Sequence, residues 1–211
     1  MKKVLAISAL LVISSVSFGQ FKIGIRFGGA VSASRVDIKS DTLDIDQETT
    51  SIKPLFGLTV DLPIKDNVMF SSGLGYAPKK ASIEYSGMSG EFQGTESYKL
   101  QYLQIPLLIR FITNEITPGM KLFFNTGFTG EIKVFEESNL KEPIIVDKFQ
   151  PLDASFNLGA GLEFSLGPDT SMYGGIAYYR GLINAVSKDI RSDANLRLNN
   201  DLIGIELGVR F

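Results

Sequence analysis

The 211-residue chain contains neither cysteine nor histidine. Without cysteine it forms no disulfide and no thiolate metal site, and it lacks the residue through which an amino-terminal lipid anchor is attached. Without histidine it lacks the commonest general base and metal ligand, which sets most hydrolase and metalloenzyme chemistry aside. No excess of one charge is present either: 21 Lys and Arg stand against 23 Asp and Glu, so the electrostatic footprint of a nucleic-acid binder is missing. The apolar stretch from Val4 to Val16 is too short for a spanning helix, which needs about 20 residues.

That stretch reads instead as an address. Met1-Lys2-Lys3 supplies a positive start, and Ser17-Phe18-Gly19 puts small residues where a signal peptidase cuts. Residues 1–19 are therefore expected to be a cleaved export signal, and residues 20–211 the mature domain. What the chain has in quantity is glycine (21) and aromatics (15 Phe, 7 Tyr), spread through a sequence of mean hydropathy +0.13. Such a mixture suits strands with one apolar face.

Period-two alternation recurs along the mature chain, and no window shows a convincing helical period. Phe21, Ile23, Ile25 and Phe27 alternate with Lys22, Gly24, Arg26 and Gly28; Phe56, Leu58, Val60 and Leu62 begin a second such segment. The pattern returns around Val68–Tyr76, Leu103–Phe111, Leu122–Phe128, Phe156–Phe164, Met172–Tyr178 and Ile203–Phe211. Eight strands of about ten residues each have the length that crosses a bilayer at a tilt. The connections at 32–51, 78–97, 132–152 and 184–200 are long and polar, whereas those at 63–67, 112–119 and 165–171 are short. Strict alternation of long and short connections is the signature of an all-β, eight-stranded antiparallel up-and-down transmembrane β-barrel, with loops at one rim and turns plus termini at the other.

Volume decides which face points outward. The strands carry 32 bulky apolar residues on one face, more than a small barrel interior holds. In water that surface would far exceed the apolar patch a monomer tolerates, so it faces lipid. The opposite face carries Gly24, Gly28, Gly57, Gly75, Gly161, Gly208 and other glycines among polar residues, giving a small, polar, filled lumen. The final residue, Phe211, ends an amphipathic strand and is expected to be the signal that bacterial barrel-assembly machinery reads.

The segments Tyr102-Leu103-Gln104-Ile105-Pro106-Leu107-Leu108-Ile109-Arg110-Phe111 and Tyr178-Tyr179-Arg180-Gly181-Leu182-Ile183-Asn184 resemble the PorT-like outer-membrane barrel family of Bacteroidetes. The opening Gly24-Ile25-Arg26-Phe27-Gly28-Gly29 is similar too, so the resemblance spans the mature chain. Gln104 stands where the family has an acid, and Ala177 where it often has Arg. The resemblance implies an eight-stranded barrel in a Gram-negative outer membrane; one namesake is associated with protein secretion and gliding machinery.

Chemistry is sparse. Catalytic outer-membrane barrels use a His beside Ser or Asp, which this chain cannot assemble, so no enzymatic activity and no cofactor are expected. Gly159-Ala160-Gly161 lacks the third glycine of a dinucleotide fingerprint and lies within a strand, where it is expected to serve lumen packing. Asp37, Asp41, Asp44, Asp46 and Glu48 of the first loop lack the spacing of an EF-hand and read as a solvated loop. The third loop, with Glu136, Glu137, Lys141, Glu142 and apolar Ile144, Ile145 and Val146, is a candidate partner-binding edge; Pro143 equally fits a strand extension.

Strand direction places Lys22, Asp61, Arg110, Lys121, Glu163 and Arg210 on the inward face near the rim that bears the termini, as a charged ring. Arg26 and Glu206 lie deeper and are expected to meet across the closing strands. Aromatics are expected at the interfaces, with Phe21, Phe111, Phe164 and Phe211 at one and Tyr76, Tyr98 and Phe156 at the other. The expected function is a structural or interaction role in the envelope, with both mature termini periplasmic; an accessory part of a secretion system and a narrow channel are the alternatives. The expected partners are outer-membrane lipid, the barrel-assembly machinery and envelope proteins met through the long loops.

Overall fold

The computed structural model describes residues 21–37, 43–46, 52–87, 93–140, 146–189 and 197–211. The export segment expected at residues 1–19 lies outside them. The described residues form eleven strands: β1 (Lys22–Asp37), β2 (Leu43–Asp46), β3 (Ile52–Lys65), β4 (Val68–Gly87), β5 (Gln93–Ile112), β6 (Met120–Ser138), β7 (Val146–Phe149), β8 (Leu152–Ser165), β9 (Ser171–Gly181), β10 (Val186–Asp189) and β11 (Arg197–Arg210). Eight of them, β1, β3, β4, β5, β6, β8, β9 and β11, each pair antiparallel with the next, and β11 returns to β1. The sheet closes on itself, so every wall strand has two partners and the edges that an open sheet would present are removed. β2 adds a short stretch beside the far end of β4, and β7 pairs with β10 in a separate two-stranded sheet.

Alternation sets the two faces. Phe56, Leu107 and Ile205 are 54%, 52% and 61% exposed on the outside, and Phe156 packs edge-on against Phe128 with ring centroids 5.5 Å apart. Their neighbours Leu55, Leu108 and Gly204 are buried on the inside. At the short-turn rim, Asn67 takes φ 64° and Gly119 φ 75°, the left-handed conformation that Asn and Gly adopt most readily. Phe211 N donates to Ile23 O at 2.8 Å, and Ile23 N to Phe211 O at 3.2 Å, which puts both ends of the described wall at that same rim.

The strands run longer than the apolar periodicity. Most of 78–97 is a hairpin of β4 and β5; β1 continues to Asp37 and β6 to Ser138. The reason is that the outer face turns polar beyond the apolar band, which erases the hydrophobic period while backbone pairing continues. Ser82 and Ser97, for example, remain paired, with their Oγ atoms 2.9 Å apart. Of the acidic first loop, Asp37 ends β1 and Asp44 and Asp46 lie on β2, while Asp41 and Glu48 fall outside the described residues. Glu136 and Glu137 lie on β6, and Val146 opens β7. Tyr98 corrects its expectation: it sits on the inward face, 1% exposed, and is no part of an interfacial girdle.

Candidate functional site: the lumen

Four charges gather at the short-turn mouth. Asp61 comes from β3, Arg110 from β5, Glu163 from β8 and Arg210 from β11, all buried. Arg210 Nε lies 2.6 Å from Asp61 Oδ2, Arg210 Nη1 2.6 Å from Glu163 Oε2, and Arg110 Nη2 3.0 Å from the same oxygen. Two cations face two anions, so the cluster is neutral. Ser71 donates to Asp61. The guanidinium carbons of Arg110 and Arg210 stand 3.8 Å and 4.1 Å from the ring centroids of Phe123 and Tyr173, which gives each cation an aromatic face. Lys22 and Lys121 are half-buried, in register with Asp61 and Glu163.

Glycines make this arrangement fit. A Cβ at Gly161 would lie 2.6 Å from Phe123 Cζ, and one at Gly208 would strike the Tyr173 ring. Farther in, a Cβ at Gly57 would lie 2.7 Å from Arg26 Nε. Each glycine is the register partner of the side chain it accommodates, Phe123↔Gly161, Tyr173↔Gly208 and Arg26↔Gly57, so these large groups lie over the neighbouring strand.

Arg26 stands at the centre. Its Nη1 lies 3.2 Å from Glu206 Oε1 and donates to the Tyr179 hydroxyl at 3.0 Å, while Tyr179 in turn donates to Glu206. Its Nη2 donates to Gln104 Oε1 at 3.4 Å, and Gln104 Nε2 donates to Glu131 Oε1 at 2.8 Å. Glu131 is the ion-pair partner of Lys79, whose Nζ also lies 3.5 Å from Asp153 Oδ2 and 4.7 Å from the Tyr102 ring centroid. Asn200 Nδ2 reaches Asp153 at 3.3 Å. One hydrogen-bonded column thus links β11, β1, β5, β6, β4 and β8. Between it and the mouth cluster lies a cavity of about 30 Å³ lined by Arg26, Thr59, Asn125, Asn157, Tyr173 and Glu206, a polar space of the order that one water fills.

The column ends beneath apolar residues. Ala81, Tyr98, Leu100, Tyr102 and Leu198 from the wall pack with Val146 and Phe149 of β7 and Ala185 and Val186 near β10. Tyr98 and Phe149 meet edge-on at 4.8 Å, and the Tyr98 hydroxyl donates to Val146 O at 3.2 Å. Segments of two separate connections thus fold over the long-loop end of the lumen. Above them Lys188 pairs with Asp147 at 2.8 Å, and that carboxylate holds the ammonium above its ordinary value.

Sequence reasoning missed Lys79, Glu131, Asp153 and Tyr179. Lys79 lay within a stretch read as loop, yet Gly73, Gly75, Ala77, Lys79 and Ala81 keep one alternation through Pro78. That continuity was the available signal. Phe211 is exposed at the end of the wall.

A family model described as "Outer membrane protein beta-barrel domain" matches residues 15–187. Among solved structures, the chain is similar to the crystal structure of Neisserial surface protein A, with TM-score 0.53, 12% identity, and 90% of this chain and 95% of that one covered. It is also similar to the outer membrane protein OprG from Pseudomonas aeruginosa, with TM-score 0.57, 15% identity and the same two coverages. At those identities the likeness concerns the fold. No protein of curated function matches the chain in sequence.

Proposed function

The chain belongs to the outer membrane protein β-barrel domain family, and from that membership we propose a non-enzymatic barrel with a closed lumen that serves as a structural or interaction element of the envelope. The observation that carries this reading is the continuous column from Arg26 through Gln104 to Lys79, which ends under the cluster around Tyr98 and Phe149. An eight-stranded wall leaves room for side chains and little else, and here those side chains are tied to one another. Function then falls to the surfaces, chiefly the long connections.

The proposal extends to orientation, with both mature termini periplasmic and the β7 and β10 end outside the cell, because short turns of such barrels face the periplasm. It also takes the chain as a PorT-like protein of a bacteroidete. The motifs behind that resemblance have structural work here: Asn184 Oδ1 accepts from Val186 N and Leu198 N at 3.1 and 2.9 Å, and Gly181 N donates to Asp201 at 2.9 Å. A place in secretion machinery is the corollary of the resemblance, and Phe211 is proposed as the handle for barrel assembly.

Planar-bilayer recording of the purified barrel tests the closed lumen. Absence of steady conductance is expected, and steady conductance overturns the reading in favour of a narrow channel. Crosslinking in outer membranes followed by co-purification separates a free-standing envelope protein from a secretion subunit.

A further inference from the structure

The outer surface of β9, β11 and β1 changes character abruptly. Along β9 the outward residues run Met172, Gly174, Ile176, Tyr178 and then Arg180; along β11 they run Leu207, Ile205, Ile203 and then Asp201, Asn199 and Arg197. On β1 the exposed Arg35 stands at the same level, since its strand pairs with β11 from Gly24↔Arg210 to Asp37↔Arg197.

These groups converge on one backbone corner. Arg35 forks onto Asp201, Nε to Oδ2 at 2.9 Å and Nη2 to Oδ1 at 3.1 Å, and its Nη2 also donates to Gly181 O at 2.9 Å. Asn199 Nδ2 reaches the same Gly181 carbonyl at 3.4 Å and Ile183 O at 2.9 Å, and Arg197 Nε donates to Asn199 Oδ1 at 3.2 Å. Arg180 is the residue before Gly181 and is exposed. Tyr178 lies just below, its hydroxyl donating to Asp201 at 3.0 Å. Among the described side chains, one carboxylate stands among three guanidiniums, and that carboxylate is engaged by Arg35 and Tyr178.

Directly beneath, the apolar face is dented. An open groove of about 600 Å³ runs between Phe111, Phe124, Leu158, Ile176, Tyr178 and Ile203. Its floor is Ala160, which puts only a methyl group between its cross-strand neighbours Phe124 and Ile176. The volume lies in the range of sites that hold small ligands. Tyr178 belongs to both features, so the groove opens upward onto the arginine cluster. From Ile176 to Arg180 is four residues along one strand, about 13 Å at the rise of a β-strand.

We propose that this face docks a phosphorylated glycolipid of the outer leaflet, with an acyl chain in the groove over Ala160 and its phosphate on Arg180, Arg197 and Arg35. Guanidinium forks match phosphate oxygens in geometry and charge. The position at the boundary of the apolar band is where a lipid carries its anionic headgroup, and a groove below it suits hydrocarbon. The assignment to the outer leaflet rests on the orientation proposed above; the contact itself rests on the geometry of this face.

The test uses the full mature barrel folded in detergent, incubated with bisphosphorylated lipid A, dephosphorylated lipid A or inorganic phosphate, with retained lipid read by native mass spectrometry. Bisphosphorylated lipid A is expected to be retained about tenfold better than the dephosphorylated form, the gain of charge-assisted hydrogen bonds to one phosphate. Arg180→Gln with Arg197→Gln is expected to abolish that preference, and Ala160→Phe to reduce retention of both lipids. If Ala160→Phe loses the heat-modifiable mobility of the folded barrel, Ile176→Trp takes its place. The proposal is overturned by equal retention of the two lipids, by a preference that survives loss of both arginines, or by displacement of lipid by an equal concentration of inorganic phosphate, which marks a free-anion site. Orientation is read separately, by labelling Lys188 in intact cells with a membrane-impermeant amine reagent. Protection of Lys188 there sinks the orientation and the leaflet assignment while detergent-phase retention still judges the contact.

Discussion

Lys79 of β4 and Glu131 of β6 form an ion pair although β5 runs between their strands, and neither side chain is more than 1% exposed. Both lean across the lumen, where a second carboxylate, Asp153, lies 3.5 Å from the ammonium. Removing the cation leaves two desolvated carboxylates facing each other. Lys79→Met is expected to destabilise the barrel by about 3–5 kcal/mol. Adding Glu131→Gln and Asp153→Asn should return most of that loss, because neutral partners remove the uncompensated charge. Urea unfolding in lipid vesicles reads both, and a wild-type midpoint for Lys79→Met alone contradicts the assignment.

Arg26 and Glu206 pose the same question with an additional partner, because the Tyr179 hydroxyl bonds to both. Glu206→Gln keeps the shape and deletes the charge. A loss of about 3 kcal/mol is expected, and Arg26→Met with Glu206→Leu should lose much less than the sum of its single changes. The double-mutant cycle supplies the coupling energy; strict additivity argues that Arg26 is stabilised elsewhere.

The glycine-lined wall makes a steric prediction. Gly208 lies beneath the Tyr173 ring, where a Cβ has no room. Gly208→Val is expected to cost about 1–3 kcal/mol through overpacking, seen as a smaller heat-modifiable fraction after refolding. Tyr173→Leu in the same chain should recover part of it. Unchanged folding of Gly208→Val is the outcome that rejects this packing.

Phe149 is fully buried among Tyr98, Leu100 and Val186. Phe149→Ala is expected to weaken the cap by about 3–5 kcal/mol and to speed protease cleavage of the long connections. Bilayer conductance should stay absent, since the column from Arg26 to Lys79 lies below the cap. Conductance appearing in this variant identifies the cap as the seal.

The eight-stranded wall and its outward face were legible because lipid on one side and a packed lumen on the other impose strict alternation, as at Phe21, Ile23, Ile25 and Phe27. The half of the wall nearer the long connections was not legible for a complementary reason. Beyond the apolar band the outward face turns polar and the inward face turns apolar under the cap, as Tyr98, Leu100 and Tyr102 alternate with Lys99 and Gln101, so the alternation changes sense and Lys79 and Tyr98 read as loop or girdle residues. Their inward placement depends on backbone register that continues past Pro78 and on β7 folding back to offer Val146 and Phe149 as partners. Arg26 and Glu206 are different: β1 and β11 pair without a shift, so distance from the shared rim is enough to bring them together. The pairing of β5 with β6, shifted between Gln101 and Tyr102, cannot be counted out in that way.

The unshifted pairing of β1 with β11 also dictates an order of events during folding. It joins fourteen residue pairs whose members stand far apart in the chain, with Arg26 and Glu206 separated by 180 positions. Hairpins along the wall can zip early at small entropic cost, whereas this junction closes the longest loop of all and so comes late. Until it forms, the nascent sheet carries two open edges able to capture foreign strands, and Arg26 has no carboxylate from β11 to meet it. The final strand therefore acts as a latch: its arrival completes the backbone ring and the electrostatic interior in one cooperative step.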